Sequence, residues 1–81
     1  MIMENKVLNQ SKIDEALLNF KKANYQETIH ILENLNEKDA NFLICWYLGH
    51  SYFKIYDYHK AIIYVRKSIE LKNSYRIRNL K

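Results

Sequence analysis

"WYLGHSYFKIYDYHKAIIYVRKSIEL", residues 46–71, carries more aromatic and aliphatic side chains than one helix face can bury. Helical spacing sorts the first half of it. Cys45, Leu48, Gly49 and Tyr52 recur at i, i+3, i+4 and i+7 and form one stripe. Trp46, His50, Phe53 and Lys54 form a second stripe about 100° away, with Tyr47 at its edge. Two apolar faces on one segment predict a helix over 42–55 packed on both sides, capped by Asp39.

Outward from this stretch the same periodicity recurs. "SKIDEALLNFKKA" aligns Ile13, Ala16, Leu17 and Phe20, and Ser11 is the expected N-cap. After a turn at "KANY", Gln26 to Asn36 places Ile29, Leu32 and Leu35 on one face. A fourth helix is expected from about Tyr58 to Lys72, with Ala61, Ile62, Val65, Ser68 and Ile69 inward. The chain has no Pro and a single Gly, a composition that favours helices over many strands. At 81 residues it supports one domain with a thin stability margin.

Shifting the chain against itself by 33 residues pairs "KKANYQETI" with "KIYDYHKAI". Tyr25 meets Tyr58, Thr28 meets Ala61, Ile29 meets Ile62 and Phe20 meets Phe53. The expected architecture is all-α, a tandem of helix-turn-helix units over about 9–41 and 42–73 followed by a basic extension at 74–81. The second unit resembles a tetratricopeptide repeat. Leu48, Gly49 and Tyr52 reproduce that family's Leu-Gly-x-x-Tyr core, Ala61 its small residue on the second helix, and Val65 the large apolar position after it. The first unit follows the pattern less closely, with Ala16 opposite Gly49 and Asn19 opposite Tyr52. Cys45 stands at the family's tryptophan position and Asn73 at its proline position.

The resemblance implies that Cys45, Leu48, Gly49 and Tyr52 are packing residues. It also implies that the stripe of Trp46, Tyr47, His50, Phe53 and Lys54, with Ile13, Leu17 and Lys21 in the first unit, lines a concave groove for a peptide or helix of another protein. The paired Lys and Asn of the family's chaperone-tail binders are replaced here by Ile13, Leu17, Trp46 and His50, so that ligand class is not expected. Each repeat exposes an apolar flank to the next, and two repeats leave one flank open around Val65, Ile69 and Tyr75. A second copy or a partner protein is expected to cover it, while Val7 and Leu8 cover part of the opposite flank. The function expected is a protein-interaction adaptor. One alternative is an obligate homodimeric or complex-forming structural subunit. The other is a regulator related to the repeat-containing peptide sensors of Gram-positive bacteria and their phages, a reading to which the Ile-, Lys- and Asn-rich composition adds a little.

Other chemistry finds little support. His30, His50 and His59 fall on three predicted helices without ligand spacing, so no metal or cofactor is expected. Asp14 and Glu15 are neighbours on a helix and diverge, Cys45 lies on an interior face, and one glycine makes no phosphate loop, so an enzyme is not expected. Cys45 has no partner for an internal disulfide, which fits a reducing, cytoplasmic setting, and "MIMENK" opens neither a signal peptide nor a membrane span. Residues 1–53 hold five Lys/Arg against seven Asp/Glu, whereas 54–81 hold eight against two. The dispersed cations of the second part match no base-reading motif, so no specific nucleic-acid partner is expected.

Overall fold

The computed structural model describes the backbone over residues 2–35 and 41–79 and side chains over 10–35 and 41–73. The chain is all-α, with α1 over Ile2–Lys21, α2 over Tyr25–Glu33, α3 over Phe42–Lys54 and α4 over Tyr58–Asn79. Two of these are longer than their periodicity predicts. Ser11 is not an N-cap but stands inside α1, which begins nine residues earlier because "IMENKVLNQ" contains no residue that stops a helix. Likewise the basic segment at the C-terminus continues α4 as far as Asn79, since neither Pro nor Gly follows Lys72. The cap of α3 is Asn41, whose Oδ1 accepts hydrogen bonds from the amides of Leu43 at 2.9 Å and Ile44 at 3.3 Å. The predicted cap Asp39 lies outside the described residues.

The two helix-turn-helix units share one turn. At the end of α1 the amide of Ala23 donates to the Phe20 carbonyl at 3.0 Å and that of Asn24 to the Asn19 carbonyl at 2.8 Å. At the end of α3 the amide of Tyr56 donates to Phe53 at 3.0 Å and that of Asp57 to Tyr52 at 2.9 Å. These are Schellman closures, and every partner in one is 33 residues from its counterpart in the other. The motif requires one residue in the left-handed region, a place usually taken by glycine. Here Ala23 (φ 65°) and Tyr56 (φ 71°) occupy it, each at a cost of about 1–2 kcal/mol. Phe20 and Tyr25 bracket the first turn with ring centroids 5.5 Å apart, and Phe53 and Tyr58 bracket the second at the same distance.

α1 packs on α2, α2 on α3 and α3 on α4, with a smaller contact between α1 and α3. The core comprises Ala16, Ile31, Leu32, Leu35, Ile44, Cys45, Leu48, Tyr52, Ala61 and Tyr64. α3 and α4 meet tightly at Gly49, where a Cβ would lie 2.5 Å from Val65 Cγ2 and 3.0 Å from the Val65 amide nitrogen. A glycine is therefore required by the separation of α3 and α4. In the first unit the matching positions are Ala16 and Thr28, both fully buried, and the Thr28 hydroxyl donates to the Ala16 carbonyl at 3.1 Å. A second tie crosses the bundle. Tyr52 on α3 and Tyr64 on α4 both donate their hydroxyls to the Glu33 carboxylate of α2, and their rings stack 5.8 Å apart.

The inward face of α4 differs from the expected one. Ala61, Tyr64 and Ser68 are buried, with the Ser68 hydroxyl donating to the Phe42 carbonyl at 3.0 Å. Ile62 and Ile69 are 57% and 55% exposed. Among the described residues α4 packs against α3 alone, and its second apolar stripe, 62–65–69, borders no further helix.

Candidate functional site

α3 and α4 together form the site, because α3 carries apolar side chains on two faces and only one is fully enclosed. Trp46 and Phe53 remain 40% and 53% exposed. Trp46 lies against His50 with centroids 3.8 Å apart and the rings tilted by 39°, and it meets Tyr47 edge-on at 4.9 Å. Phe20 at the end of α1 joins them, 5.0 Å from the Tyr47 ring and 6.5 Å from Trp46. This aromatic cluster joins the two units.

Beside it, a groove of about 410 Å³ runs between α3 and α4. His50 and Phe53 form its α3 side, and Ile62, Val65, Arg66 and Ile69 its α4 side. Gly49 and Ala61, where the helices meet tightly, also line it. A second cavity of about 380 Å³ shares Ile69 with the first and extends it along Leu43, Trp46, Tyr47 and Lys72. The two form one apolar strip along the outer junction of α3 and α4.

The residues expected to line one concave groove are thus divided. His50 and Phe53 share a groove with Val65 and Ile69, the residues expected as a separate flank. Ile13 and Leu17 sit at the junction of α1 and α3, where they line a smaller cavity of about 170 Å³ with Leu32, Leu43, Ile44 and Tyr47. Trp46 and Tyr47 belong to the second cavity. Lys21 and Lys54 are exposed and line none of these cavities. The side chains of Tyr75, Val7 and Leu8 lie outside the described residues. Periodicity alone does not single out three contributors: Phe20, which shares the core stripe of α1, and Ile62 and Arg66 on α4. The spacing of 62, 65 and 69 carries the signal for a second face, but in a linear chain it merges with Ala61 and Ser68 into one wide stripe.

Burial, aided by the nearby Lys54 cation, lowers the His50 pKa and favours the neutral imidazole. Burial also raises the Tyr52 pKa, and the Glu33 carboxylate reinforces the shift, so Tyr52 stays a neutral donor. Cys45 is fully buried, and no cluster of His, Cys, Asp or Glu suited to a metal ion occurs among the described residues. No described helix is long and apolar enough to cross a membrane. The chain matches no family model, no curated protein and no solved structure.

Proposed function

We propose that this protein is a protein-interaction module of the tetratricopeptide kind, and that the apolar strip between α3 and α4 is its binding face. The observation that carries the reading is the alignment of exposed apolar side chains along that one face: Phe53 from α3 with Ile62 and Ile69 from α4 around a groove of about 410 Å³, and Trp46 at the second cavity that continues it past Ile69. Grouped exposed apolar side chains of this kind mark sites of association, whereas isolated ones are ordinary surface. Buried aromatic anchors commonly contribute about 2 kcal/mol or more each to an interface, and Trp46 and Phe53 stand ready for that role.

The test is site-specific photocrosslinking in cells, with the reactive group placed at Phe53 or, as a control, at exposed Lys22 on the α1 turn. The expected result is a discrete adduct from position 53 that disappears when Ile69→Glu is added. Equal adducts from both positions would sink the proposal. An adduct of twice the chain's mass would instead assign the face to contact between two copies.

A further inference from the structure

The internal repeat indicates what shape the open groove fits. In the first unit Ile13, Leu17 and Leu32 line a cavity together with Ile44 and Tyr47, so they border a helix, α3. Their counterparts 33 residues on are Trp46, His50 and Val65, which line the open strip beside α4. The surface that borders a helix in unit one therefore recurs in unit two without one. Polarity points the same way. Of the eight described residues lining the main groove, only His50 and Arg66 have side chains able to hydrogen-bond. An extended peptide laid there would leave most of its backbone amides and carbonyls without partners, whereas a helix satisfies its own.

Charge narrows the occupant further. Arg66 lines the groove and Lys72 its extension, no carboxylate lines either, and neither cation forms an ion pair among the described residues. A second copy is a poor fit. In α1 the positions matching Ile44, Tyr47, Leu48 and Ser51 are Ser11, Asp14, Glu15 and Leu18, a face with one large apolar side chain. Two copies joined groove to groove would gather four cations, Arg66 and Lys72 of each, into one interface whose described lining holds no carboxylate.

We infer that the strip between α3 and α4 receives an amphipathic α-helix of another protein, one whose apolar stripe is flanked by Asp or Glu. This rests on the reading of the strip as a binding face and adds the form and charge of the partner.

The experiment is fluorescence anisotropy of the whole protein with three labelled peptides of about 18 residues, or five helical turns. All carry the same Leu stripe at i, i+3, i+4 and i+7. One is flanked by Glu, one by Lys, and one is the Glu peptide with two internal prolines. The Glu-flanked helix is expected to bind about tenfold more tightly than either other peptide at low salt, with the margin over the Lys peptide shrinking as salt is added. Arg66→Glu with Lys72→Glu should reverse the order of the Glu and Lys peptides, and Ile69→Glu should abolish binding of all three, with circular dichroism confirming that each variant is folded. Tightest binding by the proline peptide overturns the helical partner and leaves the binding face standing. Equal affinity for Glu and Lys peptides overturns the acidic partner. Self-association broken by Ile69→Glu assigns the strip to a second copy and overturns the inference. Absence of binding by every peptide overturns it too, and if crosslinking at Phe53 also fails, the binding face falls with it.

Discussion

The two helix-turn-helix units share one kind of backbone turn and differ in what joins their helices. Both first helices end in the same pair of Schellman bonds, and both turns are bracketed by rings at 5.5 Å. Yet unit one joins its helices through Ala16 and a Thr28 hydroxyl, and unit two through a bare Gly49 against Val65 and Ala61. The units also differ in what lies beyond them. Leu32 is 1% exposed because α3 closes over it, while Val65 at the matching position is half-buried at an open groove. The lesson is that the turn tolerates changes of sequence, the helix contact tolerates them only by changing its chemistry, and exposure depends on the neighbour.

The largest effect expected on this comparison comes from Ala61→Arg. A long cation placed in a tight helix contact combines overpacking with an uncompensated buried charge, and the loss should exceed about 4 kcal/mol, most of what a chain this size has. Loss of the cooperative helical melt by circular dichroism is the expected outcome, and a melt like that of the parent would break the account of unit two.

Gly49→Ala tests the same contact more gently. The new Cβ would meet both Val65 Cγ2 and the Val65 backbone, so α3 and α4 must separate, at a cost of about 1–3 kcal/mol in urea unfolding. Adding Val65→Ala removes the methyl but not the backbone contact, and should recover part of the loss. In unit one, Thr28→Val should cost about 1 kcal/mol, because Thr28 is fully buried and loses its bond to the Ala16 carbonyl. If Thr28→Val were neutral, the hydroxyl would contribute nothing to the joining of α1 and α2.

The shared turn predicts a gain of stability. Ala23→Gly relieves the left-handed strain at φ 65° and should stabilise by about 0.5–1 kcal/mol after the entropy of glycine is counted. A loss on the same urea curve would contradict the strain assigned to the turn. The smallest effect is a pH slope. The folded-state pKa of His50 lies below its ordinary value of 6.5, so the unfolded chain binds the proton more tightly. The contribution is complete above pH 6.5 and is lost as the pH falls through the lowered folded-state pKa. His50→Gln should flatten the decline in melting temperature over that acid range, and an unchanged slope would place its origin elsewhere.

The sequence by itself determined the helical class, the position of the turn after α1 and of the turn after α3, and the stripe of Cys45, Leu48, Gly49 and Tyr52. Those features depend on the 3.6-residue period and on near neighbours, which a linear chain displays directly. It also carried the 33-residue echo, because repeated contacts require repeated residue sizes. The helix ends were less legible, since Ser11 has a capping side chain whether or not a helix begins there. Only the tertiary structure decided which of two apolar stripes on α4 is enclosed, why Tyr64 is buried while Ile62 and Ile69 are open, and that His50 and Phe53 share a groove with Val65 and Ile69. It also tied Glu33 to tyrosines on two other helices. The physical reason is that burial belongs to pairs of surfaces: periodicity says which side chains share a face, but only the placement of the next helix, or its absence, says whether that face is covered.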